Sequence, residues 1–196
     1  MKKLLLLLTI VSLPSFASVS ANVSFASDYI WRGMTQSDGP AIQGGFDYAS
    51  DEGFYAGIWG SNVNFNDGAG SELDYYFGYG FDMGSVGVDV GYLAYDYPDN
   101  DSDLNFEEIY VGLSMSDFGL LYASGVNGAP DYTEVSYGIG DVAISYGQYD
   151  DYGDNLAISY GFTCGSYDCV LGYTDFSDKG YNADEDALIF SVSATL

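Results

Sequence analysis

The residues in this chain with chemistry to offer are carboxylates. There are 29 Asp and Glu against four Lys and Arg, and His is absent altogether. Without His, the Ser-His and Asp-His devices of hydrolysis have no base. No G-x-S-x-G, phosphate loop or zinc motif is present either. The pattern therefore speaks against an enzyme and gives no reason to expect a bound metal or cofactor. Carboxylates gathered on one face would do something simpler, which is to concentrate cations. The candidates for such a face are Asp28, Asp47, Glu72, Asp74, Asp82, Asp89, Glu108 and Glu134, with Arg32 the single cation among them. Arg32 follows Asp28 by four residues, so Asp28 or Asp47 is its expected partner. A constriction with a local field and a satisfied ion pair are both open readings of that arginine.

Two further groupings bear on chemistry. Asp99-Asn100-Asp101-Ser102-Asp103 opens like an EF-hand loop, but Leu104 holds the glycine position and Tyr110 the bidentate glutamate position. It reads as an acidic surface loop with weak attraction for Ca²⁺, and Asp184-Glu185-Asp186 reads the same way. Cys164 and Cys169 flank four residues. In an exported chain they are expected to form a disulfide across one turn, worth roughly 2 kcal/mol for so short a loop.

What could hold these acids on one face is a sheet. Alternation with period two runs through nearly the whole chain in blocks of about ten residues. Leu73, Tyr75, Phe77, Tyr79 and Phe81 alternate with Glu72, Asp74, Tyr76, Gly78, Gly80 and Asp82. Val86, Val88, Val90 and Tyr92 alternate with Gly87, Asp89 and Gly91. The blocks predict twelve strands over 22–32, 41–49, 54–65, 71–82, 86–97, 105–116, 118–124, 132–140, 142–149, 155–163, 169–176 and 187–196.

The connections alternate too. Segments 33–40, 66–70, 98–104, 125–131, 150–154 and 177–186 are mostly long; 50–53, 83–85, 117, 141 and 164–168 are mostly short. Long loops on one side and short turns on the other mark outer-membrane barrels, and an even strand count brings both termini to one side. The fold class expected is an all-β, antiparallel, up-and-down transmembrane barrel of about twelve strands. Its apolar face would meet lipid, and its Gly-, Ser- and acid-rich face would line a lumen. Trp31, Tyr55, Trp59, Tyr75 and Tyr79 fall on the apolar parity and are candidates for aromatic girdles at the membrane interfaces. A soluble periplasmic β-sandwich binding module is the alternative, with the apolar face in a core. Its wet face would be expected to carry long charged side chains, where this one carries Gly and Ser.

The N-terminus fits export. Lys2 and Lys3 precede the apolar run Leu4 to Leu13, Pro14 ends it, and Val19-Ser20-Ala21 offers a cleavage site, with Ala17 a second. The division expected is a signal peptide over 1–21 and a barrel over 22–196. Losing Lys2 and Lys3 leaves Arg32 and Lys179 against 29 acids, a net charge of −27. Such a chain repels phosphate backbones, so nucleic acid is not an expected partner.

One stretch is more specific than composition. It runs Ser27-Asp28-Tyr29-Ile30-Trp31-Arg32-Gly33-Met34-Thr35-Gln36-Ser37, continues as Pro40-Ala41-Ile42-Gln43-Gly44-Gly45-Phe46-Asp47-Tyr48, and ends in Gly53-Phe54-Tyr55-Ala56-Gly57-Ile58-Trp59-Gly60-Ser61-Asn62-Val63. It resembles the TorF-type porin family of bacterial outer-membrane barrels, first catalogued as conserved hypotheticals. The resemblance extends over the mature chain in texture and implies a barrel in the cell outer membrane with a porin-like role. The expected partners are then the outer-membrane bilayer, small solutes or cations, and the barrel assembly machinery. The chain departs from many such barrels in ending on Leu196 rather than an aromatic residue. The function expected is passive diffusion of small solutes, preferring cations through an acidic lumen. A non-conducting structural barrel that presents acidic outer loops is the alternative. Oligomeric state is open, because a trimer interface and a lipid contact present the same apolar face.

Overall fold

The computed structural model describes residues 18–65, 68–98, 104–150, 152–180 and 183–196. Most of the expected signal peptide and the Asp99–Asp103 run lie outside them.

The alternating blocks become twelve wall strands: β1 (Ser18–Ala26), β4 (Ala41–Ala49), β5 (Phe54–Asn62), β6 (Ser71–Met83), β7 (Val86–Asp96), β8 (Phe106–Met115), β9 (Phe118–Gly125), β10 (Tyr132–Ile139), β11 (Val142–Tyr149), β12 (Gly153–Cys164), β13 (Tyr167–Asp178) and β14 (Glu185–Thr195). Each pairs antiparallel with its sequence neighbours, and β1 pairs with both β4 and β14, so the sheet closes into a barrel. Closure satisfies every strand edge, which is the condition for strands to cross lipid. Two very short strands, β2 (Ile30–Trp31) and β3 (Met34–Thr35), pair only with each other.

The alternation sets which face looks out. On β6, Leu73, Tyr75, Phe77, Tyr79 and Phe81 are exposed, whereas Glu72, Asp74 and Gly78 between them are buried. Across the wall Ile58 meets Tyr75 and Phe77 meets Tyr92, so apolar side chains form continuous outward rows. Such a broad exposed apolar surface would be untenable in water and is what a bilayer requires.

The turns at the end holding both termini are short. Gly84 and Gly165 sit at φ of +67° and +69° in the β6–β7 and β12–β13 turns, the left-handed conformation tight hairpins need. Beside the second turn, Cys164 and Cys169 form the disulfide. They lie on the outward parity of β12 and β13, diagonal to one another because Phe162 is the residue directly opposite Cys169.

The expected strand over 22–32 is corrected. β1 starts four residues earlier and stops at Ala26, and residues 27–40 leave the wall. The alternation predicts the end of a strand and an outer loop there; instead these residues fold into the lumen. The reversal lies at Arg32 and Gly33, with φ of +47° and +90°. Gly33 is required there, since a Cβ would come within 2.8 Å of the Asn155 side chain and 3.0 Å of that of Phe176.

Candidate functional site in the barrel lumen

The lumen is organised around that inserted hairpin. Asp28 anchors its base, accepting hydrogen bonds from the Thr35 hydroxyl at 2.8 Å and the Ser37 hydroxyl at 2.9 Å. The Tyr29 amide donates to Ser37 Oγ at 2.8 Å, and the Gln36 amide to the Tyr29 carbonyl at 2.7 Å. These short polar side chains offer the backbone partners other than the wall ladder, which is why the strand breaks here. The hairpin then reaches three parts of the wall. Tyr29 Oη donates to Glu72 on β6 at 2.8 Å, and the Thr35 amide to Glu185 on β14 at 2.7 Å. Arg32 extends to β8, where its two terminal nitrogens meet the two Glu108 oxygens at 2.6 and 2.7 Å.

The Arg32–Glu108 pair is nearly sealed from solvent, with side-chain exposures of 8% and 2%. A buried pair is tolerable only when its remaining hydrogen-bonding capacity is met. Here Tyr95 donates to Glu108 at 3.2 Å, and Arg32 donates to the Tyr149 phenol oxygen at 3.1 Å. The guanidinium also lies 4.0 Å from the Tyr132 ring centre and 4.5 Å from that of Trp31, so ring faces supply further negative potential.

Toward the short-turn end lies a cavity of about 820 Å³. Its two walls differ. One carries phenols bound to carboxylates: Tyr76 donates to Asp47, Tyr55 to Asp89 at 2.7 Å, and the Tyr55 and Tyr110 hydroxyls touch. The other is smooth, with Ser136, Ser145, Ser159, Gly172 and Ser191. The bulky wall is admitted by glycines on neighbouring strands. A Cβ at Gly91 would meet the Tyr110 phenol at 2.4 Å, and one at Gly57 would meet the Tyr76 ring at 2.4 Å.

The sequence from residue 13 to residue 187 matches a family of bacterial proteins of unknown function, Gcw_chp. The chain belongs to the Gcw_chp family. No curated protein matches the sequence. Among solved structures this Gcw_chp chain is similar to one described as KdgM porin, at 11% identity and a TM-score of 0.60, covering 90% of this chain and 97% of that one. It also matches outer membrane phospholipase A from Escherichia coli, at 13% identity and a TM-score of 0.46, covering 93% and 96% of the two chains. OccAB4 of Acinetobacter baumannii matches at 11% identity and a TM-score of 0.42, covering 88% of this chain and 56% of that one. At such identity the likeness to KdgM porin concerns the fold alone, which is that of a porin-like outer-membrane barrel.

Within this Gcw_chp barrel the candidate acids stand as follows. Asp28, Asp47, Asp74, Asp82, Asp89 and Glu134 line the cavity, and Glu72 and Glu108 are buried on the inward parity beside it. Glu134 accepts from Tyr132 at 2.9 Å. Arg32 lines the cavity too, but from the hairpin rather than from a wall strand, and its partner is Glu108 instead of Asp28 or Asp47. Asp28 is taken up by the hairpin's hydroxyls, which leaves it facing away from that role.

Three of the five girdle candidates are corrected. Trp31 sits on the inserted hairpin, packed edge-on against Tyr95 and Phe106 inside the barrel. Tyr55 and Trp59 face inward because Phe54 and Ile58 occupy the outward positions of β5, at 43% and 49% exposure. Trp59 packs on Tyr29, and the Tyr55 hydroxyl bonds Asp89 in the lumen. Tyr75 and Tyr79 do face outward. Tyrosine is ambiguous by parity because its ring tolerates an apolar face and its hydroxyl seeks a polar one. The lumenal phenols of Tyr95, Tyr132 and Tyr149 were not anticipated. For Tyr132 the available signal was Glu134, two residues on along the same face.

Proposed function

We propose that this Gcw_chp barrel is a porin-like channel of the bacterial outer membrane that passes small solutes by diffusion and prefers cations. The observation carrying this reading is the lumenal charge balance. The one lumenal guanidinium is already neutralised by Glu108, so Asp47, Glu72, Asp74, Asp89 and Glu134 form a surplus with no fixed positive charge against it. A permeating cation is stabilised by such a lining and an anion is repelled. Tyr75 and Tyr79 serve as girdle residues at the bilayer interface, the assembly machinery inserts the barrel, and the TorF-type porins are its functional relatives. No catalytic role belongs to this reading. The leader is removed on export; pairing of Ser18–Ala21 with Phe46–Ala49 supports processing after Ala17 over Ala21, since the latter would strip four residues of ladder from β1. An intact mass of the mature chain separates the two sites.

Planar-bilayer recording in a salt gradient tests the function. The expected result is a small conductance whose reversal potential has the sign of cation preference, weakened by D74N and E108Q. Anion preference refutes the selectivity. Absence of conductance from folded barrel favours the second reading, a non-conducting barrel, which has its own support in the hairpin crossing the lumen between β1 and β8. If neutralising Asp101 shifts the reversal potential while D74N and E108Q do not, selectivity resides in the loops.

A further inference from the structure

Glu72 and Asp74 are successive inward residues of β6, so both carboxyls project from one face of the strand behind the inserted hairpin. They are 1% and 8% exposed. Glu72 Oε1 accepts from Tyr29, but among the described residues Glu72 Oε2 and Asp74 Oδ1 are buried without any hydrogen-bond partner. Among the described residues no guanidinium or ammonium answers them: Arg32 is committed to both oxygens of Glu108, and Lys179 pairs with Asp154. Two adjacent buried carboxylates with free oxygens are costly unless a positive charge joins them, because each ion taken from water loses several kcal/mol of solvation. Tyr29, which bonds Glu72, belongs to a buried cluster with Tyr97 and Trp59.

We infer that the oxygens Glu72 Oε2 and Asp74 Oδ1 bind a small, hard cation of the Ca²⁺ class at the inner face of the hairpin. The inference deepens the cation-channel reading by giving it a resident site, and it rests on that reading for its physiological sense. A single divalent ion balances the two carboxylates. All donors are oxygens, which suits a hard cation and excludes a thiolate- or imidazole-loving metal. With only two protein carboxylates and water completing the shell, affinity falls on the order of 10⁻⁴ to 10⁻³ M, the range of weak exchangeable sites. Such an ion can leave as well as enter, as conduction demands. Closing the site also fixes Tyr29, so occupancy holds the hairpin against β6.

The test uses the full mature barrel refolded in detergent and titrated with Tb³⁺, a Ca²⁺ substitute whose emission is sensitised by nearby Tyr and Trp. The expected result is a saturable emission component, displaced by Ca²⁺ and lost in D74N, which leaves the Tyr29–Glu72 hydrogen bond in place. Heat-modifiable gel mobility establishes that the variant is folded; E72Q serves as the second variant. Neutralising the exposed acids Asp184 and Asp186 should leave the component intact. If folded D74N and E72Q both retain it, or if only the loop variant loses it, the site is refuted. A wild-type barrel without the component refutes it as well, the two carboxyls then sharing a proton. Conductance is measured separately on the same preparation. Terbium binding without conductance upholds the site and overturns the channel; conductance without the binding component does the reverse.

Discussion

Replacing Arg32 by Met should free the inserted hairpin without unfolding the barrel. Methionine keeps much of the side-chain volume but removes the charge, leaving Glu108 buried and unpaired at 2% exposure. Breaking one partner of a buried pair costs about 3–5 kcal/mol, and loss of the ring contacts to Tyr132 and Trp31 adds to that. The barrel's own ladders are untouched, so the cost falls on docking of residues 27–40. At about 1.4 kcal/mol per decade, 3 kcal/mol raises the undocked population roughly 150-fold. Hydrogen exchange reads this directly. The reporting amides are Tyr29, bonded to Ser37 Oγ, Thr35, bonded to Glu185, and Gln36, bonded to the Tyr29 carbonyl. Their exchange should accelerate by about two decades, while amides in β6 and β7 stay protected. The double variant R32M/E108L should cost less than R32M alone, because it removes the stranded carboxylate as well. Unchanged exchange at these three amides in R32M would show that the ion pair does not hold the hairpin, and additive costs in the double variant would show that the two side chains are not coupled.

The remaining predictions concern the wall. Gly45 faces Trp59 across β4–β5, and a Cβ there would lie 2.2 Å from the Ile58 carbonyl oxygen; G45A should therefore destabilise the folded barrel by about 1–3 kcal/mol, seen as a lower temperature of the heat-induced gel shift. The Cys164–Cys169 link should appear in mass spectra of non-reduced peptides, and its removal should cost about 2 kcal/mol in unfolding by denaturant, with two free thiols the contrary outcome. Asp131, on the β9–β10 connection, accepts from Tyr122, Ser124 and the Gly125 amide, and these bonds to its charged form hold its carboxyl below the usual aspartate range. The support it gives the loop should thus be present above the ordinary aspartate value and fade as pH falls through its lowered one, which a carboxyl NMR titration checks.

The wall was legible because period two is a strong signal when repeated twelve times. β4 and β11 fall on the expected residues, and most other ends differ by one to three. Inward acids followed from the same parity, since a carboxylate has one tolerable face in a membrane barrel. The hairpin was not legible, for a physical reason. Tyr29, Trp31 and Ile30 look like strand residues at any register, and parity assumes that a strand continues. What ends it is Asp28 with Thr35 and Ser37, groups that close a turn only when a distant Glu108 draws Arg32 inward across 76 residues of sequence. No local pattern encodes that partner. The same blindness misplaced Tyr55 and Trp59: on β5 apolar residues occupy both faces, so the pattern cannot say which is wet. The deciding observation lies on other strands, where Asp89 and Tyr110 await the Tyr55 hydroxyl and Gly78 vacates room opposite it. Chemistry in this barrel is thus concentrated where local periodicity fails, at the hairpin and at the phenol–carboxylate pairs. Both fill a lumen that twelve strands leave wider than side chains of one wall can close. The hairpin narrows it at the end with the long connections, where Arg32 balances Glu108 and Tyr29 meets Glu72, an acid left without a fixed counter-charge.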